Sequence, residues 1–338
     1  MAYSYGDVPS QAGKTVLITG ANVGLGLSLA KDFLGHNPKV PQGGLPAEKQ
    51  PACLIIASRS RDKSMSAVEA HLNNDPRVKF LELDLADLSS VREAAKALVS
   101  GSSDPRFQAH FAKPVERIDT LVLNAGILCT QHGKETTKDG FEMTIGVCHV
   151  GHFLFTKCVW PLLLKAEAPR VVPVSSVGHT WTSKGLDPED LNWERRKYDG
   201  FEAYFQAKLA NVYFCRELAV RCSNFGSTAV DAEKPASKVT SVTLTPGYGR
   251  SGLYRDVSCM VRVLTPCISA DCDGLSLNTL RAACDPDLPS GTSYLTPKRM
   301  NFYGPPTIGQ VSKLAENGAT GKALWEKTEE LVGEKFQV

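Results

Sequence analysis

Short apolar runs alternate with segments of helical period along most of the chain. A run such as Val16-Leu17-Ile18 is apolar at every position, which is typical of a strand buried on both faces of a parallel sheet. This pattern predicts six strands: Thr15–Thr19, Cys53–Ala57, Val78–Leu83, Thr120–Leu123, Val171–Ser175 and Val239–Leu244. It also predicts five helices: Leu25–Phe33, Asp62–Leu72, Ser89–Val99, Gly140–Leu164 and Phe201–Asn224. The alternation indicates an α/β fold with one doubly wound parallel sheet and helices on both faces.

The segments outside this pattern are predicted to be loops and a tail. His36–Pro51, Gly101–Pro114 and Asn224–Ser237 are rich in Pro, Gly or polar residues, yet none has the composition of a flexible interdomain linker. Val311–Gly333 alternates charged residues with Leu and Trp, which predicts an amphipathic helix on the core. We therefore expect a single domain over residues 1–338, with a core at about 12–300 and a helical tail at about 307–338.

Composition and charge narrow the function classes. The chain has 338 residues, of which 42% are apolar, so intrinsic disorder is excluded as its main state. Its 38 basic and 36 acidic residues nearly balance, which argues against nucleic acid as a partner. No uncharged apolar run reaches the ~18 residues of a transmembrane helix, and the N-terminus lacks the pattern of a secretory signal. We expect a cytoplasmic protein, with peripheral membrane association left open.

The ten cysteines give no sign of a metal site. None forms a Cys-x-x-Cys pair, and most lie in apolar segments, so we expect reduced thiols packed as small hydrophobic side chains. The nearest approach to a ligand pair is His149-x-x-His152, in a segment typical of a buried helix. No metal site is predicted.

A glycine-rich turn directly follows the first predicted strand and opens the first helix. Such a turn brings backbone N–H groups and the positive helix end towards a pyrophosphate, although flexible loops also collect glycine. Its place between strand and helix favours a dinucleotide site in a Rossmann-type fold, in which the glycines permit a tight turn and close backbone approach. The cofactor-binding residues predicted here are Gly20, Asn22, Gly24, Leu25 and Gly26.

The ends of the next strands supply further candidates. An NAD site would place a carboxylate after the second strand, whereas this chain has Arg59, whose guanidinium suits a 2′-phosphate. This favours NADP(H) over NAD(H), the alternative being a solvated surface arginine. Asp84 is expected to accept a hydrogen bond from adenine or merely to cap the following turn. The other residues expected to contact the cofactor are Leu85, Asn124, Ala125 and Gly126.

Ser176, Tyr204 and Lys208 are the candidate catalytic residues. Ser176 follows the fifth predicted strand, and Tyr204 and Lys208 stand four residues apart, so they share one face of a helix. An ammonium near the phenol favours the phenolate, which suits Tyr204 as a proton donor or acceptor at a carbonyl oxygen. The Ser176 hydroxyl could orient the same oxygen. Each residue alone is common, but all three in order behind a glycine turn are rare.

Together these motifs resemble the short-chain dehydrogenase/reductase family over roughly residues 12–300. They comprise the glycine turn, Asn124-Ala-Gly126, Ser176, Tyr204-x-x-x-Lys208 and Pro246-Gly247. Closer similarity points to the retinol dehydrogenase-like branch, carried by Gly151-His-Phe-Leu-Phe-Thr156, Ala207-Lys-Leu-Ala-Asn211 and Phe302-Tyr-Gly-Pro305. The tail Leu324–Leu331 is also similar to that of light-dependent protochlorophyllide reductases.

The resemblance implies a function. It implies hydride transfer at nicotinamide with Tyr204 as general acid/base, and Lys208 binding the nicotinamide ribose and lowering the Tyr204 pKa. It places Pro246 and Gly247 beside the nicotinamide, and Tyr248–Asp273 in a substrate lid. The expected substrate is an apolar retinoid-, steroid- or lipid-like alcohol or carbonyl. The substrate itself, the reaction direction and any homo-oligomer are left open.

Three departures from the family pattern keep alternatives open. Cys148 stands where the family has an asparagine that helps to hold a water in a proton relay, so we expect a tolerated substitution or a slow enzyme. Cys148 also supports the alternative of a weakly active or non-catalytic nucleotide-binding scaffold. Pro173 lies in a predicted central strand, where a bulge is expected. Ala210 replaces a functional cysteine of protochlorophyllide reductases, which weakens the third alternative, a double-bond reductase.

Overall fold

The computed structural model describes residues 2–40, 42–128, 133–224, 238–249 and 271–338. Its main sheet has six parallel strands in the order β3-β2-β1-β4-β5-β6. The strands are β1 (Thr15–Thr19), β2 (Cys53–Ser58), β3 (Val78–Glu82), β4 (Thr120–Leu123), β5 (Arg170–Pro173) and β6 (Thr240–Ser241). The chain order reverses beside β1, which is the arrangement of a doubly wound nucleotide-binding sheet. This confirms the predicted α/β fold.

Nine helices occur in the part of the chain that the structure describes, apart from short 3₁₀ and π turns. They are α1 (Gly24–Leu34), α2 (Arg61–His71), α3 (Leu88–Ser100), α4 (Pro105–Phe111), α5 (Met143–Ile145), α6 (Gly151–Leu163), α7 (Gly200–Asn224), α8 (Ser276–Cys284) and α9 (Gly318–Val332). Helix α4 lies inside the predicted loop Gly101–Pro114, where Asp104 accepts the Arg106 N–H and Pro105 occupies the first turn. Among these described residues, no helix combines the length and apolar character needed to cross a membrane.

The central strands are apolar at every position because helices cover both faces of the sheet. Leu17 packs in a core cluster with residues of α3, α6 and α7. Its neighbours Val16 and Ile18 point to the opposite face and pack with residues of α1, α2 and α8. Successive side chains in a strand point to opposite faces, so one continuous apolar run feeds two cores.

Pro173 ends β5 and interrupts its pairing with the edge of the sheet without producing the expected bulge. β5 and β6 pair at Val171↔Ser241, and the same register resumes at Val174↔Leu244. The break falls between β6 and β7 (Thr243–Leu244), opposite the proline, which has no N–H to donate. The Thr243 hydroxyl instead donates to the Pro173 carbonyl at 2.7 Å. The prediction of a bulge was therefore wrong, because the missing donor leaves a gap in the ladder.

A second, three-stranded sheet follows the segment after β6. β7 pairs with β8 (Tyr294–Arg299) in parallel, and β8 pairs with β9 (Tyr303–Ile308) in antiparallel fashion. These two strands and α8 had not been predicted, because Pro297, Pro305 and Pro306 are unusual in strands and helix α8 is short. β9 includes residues that the sequence analysis assigned to the tail, and the predicted tail helix is α9 preceded by a 3₁₀ turn.

The long helix predicted over Gly140–Leu164 is divided by a π-helical turn. Helices α5 and α6 are joined by Gly146–Val150, which has the wider hydrogen-bonding pattern. Such turns are frequent at functional sites. This one contains Cys148, the residue that departs from the family pattern.

Candidate active site

A cleft of about 1000 Å³ opens at the carboxyl ends of the parallel strands. This is where ligands bind in open α/β sheets. It brings together fifteen of the site residues predicted from the sequence: Gly20, Asn22, Gly24, Leu25, Arg59, Asp84, Leu85, Asn124, Ala125, Gly126, Ser176, Tyr204, Lys208, Pro246 and Gly247. Gly26 does not line the cleft. Most of the predicted lid, residues 250–270, and most of the predicted loop Asn224–Ser237 lie outside the described residues.

The glycine turn is shaped by close backbone packing. Gly20 has a φ of +68°, and a Cβ there would lie 2.9 Å from the Ala125 Cα. Gly26 packs behind the turn, where a Cβ would lie 2.5 Å from the Gly20 carbonyl oxygen and 2.6 Å from the Asn124 amide nitrogen. Gly26 therefore does not reach the cleft, because it packs closely against the back of the turn. Val23, the N-cap of α1, makes no side-chain cap, so the first-turn N–H groups remain available to a ligand.

Thr19 and Asn124 join the ends of β1 and β4. The N–H groups of Asn124 and Ala125 both donate to the Thr19 hydroxyl oxygen at 3.0 Å. The Asn124 side chain donates to the Thr19 carbonyl at 2.9 Å. The side-chain amide nitrogen of Asn124 thus braces the floor of the cleft that the residue lines. Gly126 leaves room behind this turn, because a Cβ would lie 3.2 Å from Lys208 Nζ and 3.4 Å from Cys148 Sγ.

The end of β2 carries the charged part of the cleft. Arg59 is exposed there, as is Lys63 in the first turn of α2, a second cation that the sequence analysis missed. Asp62 also lines this region, and Arg59 shares a smaller neighbouring pocket with Glu82 and Asp84. Asp84 Oδ1 accepts the Ala86 N–H at 3.0 Å, which is the capping alternative, although the residue also lines the cleft. A basic residue in the first turn of the helix after β2 is the sequence signal that could have identified Lys63.

Ser176, Tyr204 and Lys208 meet at another part of the same cleft. Lys208 is buried, and its Nζ lies 5.7 Å from the centre of the Tyr204 ring and donates to the Val174 carbonyl at 3.2 Å. The Ser175 hydroxyl donates to the Lys208 carbonyl at 2.7 Å, which fixes α7 against the end of β5. Ser176 precedes Tyr204 by 28 residues and Lys208 by 32 residues in the sequence, yet all three line the same cleft.

Burial dominates the protonation of the phenol. Desolvation raises the pKa of Tyr204 above its ordinary value, while the Lys208 charge and a hydrogen bond with Ser176 lower it. Without a bound ligand the phenol is therefore protonated at neutral pH, with a cation and a hydroxyl in place to favour its ionised form. The arrangement can hold a proton and release it to an oxygen in the cleft.

His179 fixes the turn that carries Ser176, and the sequence analysis missed it. Its Nδ1 donates to the Ser176 carbonyl at 2.7 Å, and its Nε2 accepts the Ser312 N–H at 3.2 Å. The ring is fully buried, and desolvation lowers its pKa, so it is neutral. A neutral ring with these two partners connects the Ser176 turn to the segment that precedes α9.

Aromatic side chains form one side of the cleft mouth. The Phe205 ring packs over the Ser176 turn because Gly178 has no Cβ, which would lie 2.9 Å from Phe205 Cδ1. The Trp181 ring meets Phe205 edge-on at 5.5 Å, and Phe201 lies 6.4 Å from Phe205. Trp181 and Phe201 are 51% and 42% exposed, although both line the cleft. We call Trp181, Phe201 and Phe205 the aromatic wall.

The Pro246-Gly247 turn rests on the β8–β9 hairpin. Gly247 has a φ of +113°, and a Cβ there would lie 2.6 Å from the Phe302 carbonyl oxygen. That carbonyl accepts the Tyr248 N–H at 3.2 Å, and the Tyr248 and Phe302 rings meet at 5.8 Å. The family residue Phe302 thus supports the turn from outside the main sheet. Among the described residues, no group of three or more His, Cys, Asp or Glu side chains could hold a metal ion.

Comparisons with known proteins agree with this geometry. Residues 14–186 match the family described as short chain dehydrogenase. Retinol dehydrogenase 13 of Mus musculus is 37% identical over 254 residues, covering 74% of this chain and 64% of the relative. The chain therefore spans less than two thirds of that protein. Retinol dehydrogenase 12 of Homo sapiens is 31% identical over 331 residues, covering 96% of this chain and 88% of the relative.

Solved structures give the same fold. The crystal structure of an uncharacterized protein from Mycobacterium paratuberculosis is 31% identical, with a TM-score of 0.73 and full coverage of both chains. The NADPH-bound carbonyl reductase from chicken fatty liver is 17% identical, with a TM-score of 0.53, covering 84% of this chain and 96% of that one, and it shows the fold alone. The chain belongs to the short-chain dehydrogenase family, in its retinol dehydrogenase-like branch.

Proposed function

We propose that the chain is an NADP(H)-dependent oxidoreductase that interconverts alcohols and carbonyls on an apolar substrate. One observation carries the proposal: the Ser176 and Tyr204 hydroxyls and the Lys208 ammonium line the same cleft as the glycine turn. The tight glycine turn at Gly20 and the uncapped first turn of α1 suit a pyrophosphate, so the residues present fit a dinucleotide. The fifteen predicted residues that line the cleft, with Gly26 behind the turn, would form the site.

The proposed roles follow from the geometry of the catalytic residues. A bound NADPH would supply a hydride for the carbonyl carbon. Tyr204 donates its phenol proton to the carbonyl oxygen, and in the oxidation direction the phenolate takes the proton from the alcohol. The Ser176 hydroxyl orients the reacting oxygen and stabilises the negative charge that develops on it. Lys208 favours the phenolate through its charge and is placed to hold the nicotinamide ribose.

The preference for NADP(H) rests on the charges at the end of β2. Arg59 and Lys63 line the cleft there, and a guanidinium binds a phosphate through paired, charge-assisted hydrogen bonds. The strand itself ends in Ser58, whose hydroxyl is no substitute for the carboxylate of an NAD site.

The aromatic wall supports an apolar substrate. Three rings at a cleft mouth offer a broad apolar surface beside Ser176 and Tyr204, where the reacting oxygen would lie. Leu128, Val147 and Val177 continue the apolar lining. The names of the relatives, retinol dehydrogenases 13 and 12, point to retinol, which is an apolar alcohol of this kind.

The test is an assay of the purified chain in both directions. NADPH and NADH oxidation would be followed with retinaldehyde, a ketosteroid, a medium-chain aldehyde and a two-carbon aldehyde, and the alcohol product identified. We expect turnover with NADPH and the larger apolar carbonyls. A chain that binds NADPH but reduces no carbonyl and oxidises no alcohol would overturn the proposal in favour of a nucleotide-binding scaffold.

A further inference from the structure

His152 connects segments that line the cleft although its own side chain is buried. Its Nε2 lies 2.9 Å from the Thr19 hydroxyl oxygen, and its Nδ1 lies 3.1 Å from the Cys148 carbonyl oxygen. Thr19 ends β1 and leads into the glycine turn, whereas Cys148 lies in the π-helical turn behind Gly126. One imidazole therefore joins the glycine turn to the π-helical turn.

The partners determine which nitrogen of His152 carries the hydrogen. The Thr19 hydroxyl oxygen already accepts two N–H groups, from Asn124 and Ala125. Its own hydrogen must therefore be donated, and His152 Nε2 at 2.9 Å is closer than the Val122 carbonyl at 3.5 Å. The Cys148 carbonyl can only accept, so Nδ1 carries the hydrogen of the ring.

The chain of hydrogen bonds has one direction throughout. It runs from the Asn124 and Ala125 N–H groups to Thr19, from Thr19 to His152, and from His152 to the Cys148 carbonyl. Desolvation by burial, together with the Lys208 charge, lowers the pKa of His152 to about 4, which keeps the ring neutral. A protonated ring could not accept the hydrogen of Thr19, so neutrality is a condition of the chain.

We propose that His152 is a positioning residue for the cofactor cleft. In its Nδ1–H form it holds the glycine turn, the Asn124–Gly126 turn and the π-helical turn at fixed distances from one another. The role rests on the proposed cofactor site, because its purpose is to keep the backbone groups of that site in register. His152 acts through Thr19 and Cys148 and touches no ligand itself.

His149 provides a matched comparison three residues earlier. It is as deeply buried, and desolvation lowers its pKa to about 3. Its Nε2 lies 3.0 Å from the Thr328 hydroxyl oxygen, which donates its own hydrogen to the Leu324 carbonyl. Thr328 must therefore accept, so His149 carries its hydrogen on Nε2. The two histidines are neutral, adjacent and opposite in tautomer, and only His152 faces the cleft elements.

The first experiment is a ¹⁵N-edited spectrum of the histidine rings in the full chain without cofactor. Signals are assigned by comparison with His152→Gln and His149→Leu. We expect a protonated Nδ1 for His152 and a protonated Nε2 for His149. A His152 ring protonated on Nε2 would overturn the proposed chain of hydrogen bonds, whatever the protein binds.

The second experiment compares cofactor affinity with stability in matched variants. Fluorescence titration with NADPH is expected to show binding weakened about 10-fold or more in His152→Leu and within about 2-fold of the starting protein in His149→Leu. Both variants lose a buried hydrogen bond, so both are expected to lower Tm. Gln keeps one donor and one acceptor, so His152→Gln should recover part of the lost affinity. A purely structural role would instead make affinity follow Tm in both positions.

The outcomes separate this proposal from the proposed function. No binding of NADPH or NADH by the starting protein would overturn the proposed function. Binding that His152→Leu and His149→Leu retain or lose equally would overturn the positioning role alone. If His152→Leu does not fold, the NADPH affinities of Thr19→Val and Thr19→Ser test the positioning role instead. Only the Ser variant keeps the hydroxyl that donates to His152. Equal NADPH affinities of those two variants would contradict the proposal.

Discussion

The Lys208 ammonium lies 5.7 Å from the centre of the Tyr204 ring, one helical turn along α7, and is fixed there by the Val174 carbonyl. This contact anchors the cation to the residue that directly follows β5, so it does not depend on a ligand for its position. The phenol is buried beside it, and its proton is the one that the proposed reaction needs. Helix α7 and strand β5 together therefore define the proposed proton donor.

Tyr204→Phe is expected to lower kcat by about 100- to 10,000-fold, because the variant has no proton to give. The ring and its packing remain, so NADPH affinity should change by less than about 3-fold. Tyr213→Phe is the control, because Tyr213 is buried in the same helix and its hydroxyl donates to the Leu314 carbonyl, away from the cleft. Steady-state rates and fluorescence titrations measure both effects. Undiminished turnover in Tyr204→Phe would remove the proposed acid/base.

The pH dependence should report the Tyr204 phenol. Burial raises its pKa and Lys208 lowers it, so Lys208→Met is expected to raise that pKa further. Alcohol oxidation needs the phenolate, so its rate at saturating cofactor should rise with pH, and this rise should move to higher pH in the variant. Carbonyl reduction needs the protonated phenol and should persist to higher pH. Lys208→Arg keeps the charge and serves as the comparison. Profiles of kcat that coincide for Met and Arg would contradict the assignment.

Cofactor selectivity should depend on Arg59. Arg59→Ala is expected to weaken NADPH binding by about 10- to 100-fold, through loss of a charge-assisted phosphate contact, and NADH binding by less than about 3-fold. Arg61→Ala is the matched control, because its guanidinium packs over the Phe80 ring at 5.9 Å and the residue does not line the cleft. Titrations with both cofactors measure the ratio of the NADPH and NADH dissociation constants. An equal loss for NADPH and NADH would refute the role of Arg59.

The aromatic wall should discriminate between substrates by size. Trp181→Ala removes the exposed ring beside Phe205 and is expected to raise KM for a large apolar carbonyl by about 10-fold, since stacking and burial are lost. KM for a two-carbon aldehyde should hardly change, because such a substrate reaches Ser176 and Tyr204 without touching the wall. The short substrate is thus an internal control. Parallel changes in both KM values would mean that Trp181 supports the site's structure instead.

The sequence predicts the first part of the fold well because its strands are buried on both faces. β1 and β4 have the bounds expected from their apolar runs, and α1 and α3 extend the predictions by one residue at each end. Capping explains such small differences: Asp87 accepts the Ser89 and Ser90 N–H groups, so α3 begins at Leu88. The bounds of these strands and helices are therefore set by signals in their own sequence.

The missed elements lack a recognisable pattern in their own sequence. Strand β9 contains Pro305 and Pro306 and is strand-like only because β8 pairs with it. The π-helical turn around Cys148 has the same apolar pattern as the helices beside it, so periodicity cannot reveal it. In the site, motifs identified residues that line the cleft, whereas His179 and the aromatic wall required knowledge of which segments meet.

Stability should depend on Trp325, which joins α9 to the main body. Its ring is 2% exposed, stacks on Phe214 and Phe336 at 5.7 and 5.0 Å, and meets Phe153 edge-on at 4.9 Å. Trp325→Ala is expected to lower the free energy of unfolding by about 3–5 kcal/mol, because it removes a large ring from a filled core. Leu164, half exposed at the end of α6, provides the control.

Urea titrations of both variants measure the effect, and NADPH affinity separates stability from function. Leu164→Ala should stay within about 0.5 kcal/mol of the starting protein, since its side chain is already largely in water. Trp325 does not line the cleft, so Trp325→Ala should retain its NADPH affinity wherever it remains folded. Equal unfolding free energies for the two variants would show that α9 adds little to the core. Loss of NADPH binding in folded Trp325→Ala would instead mean that α9 shapes the cleft, through Phe153 and the helix that carries His152.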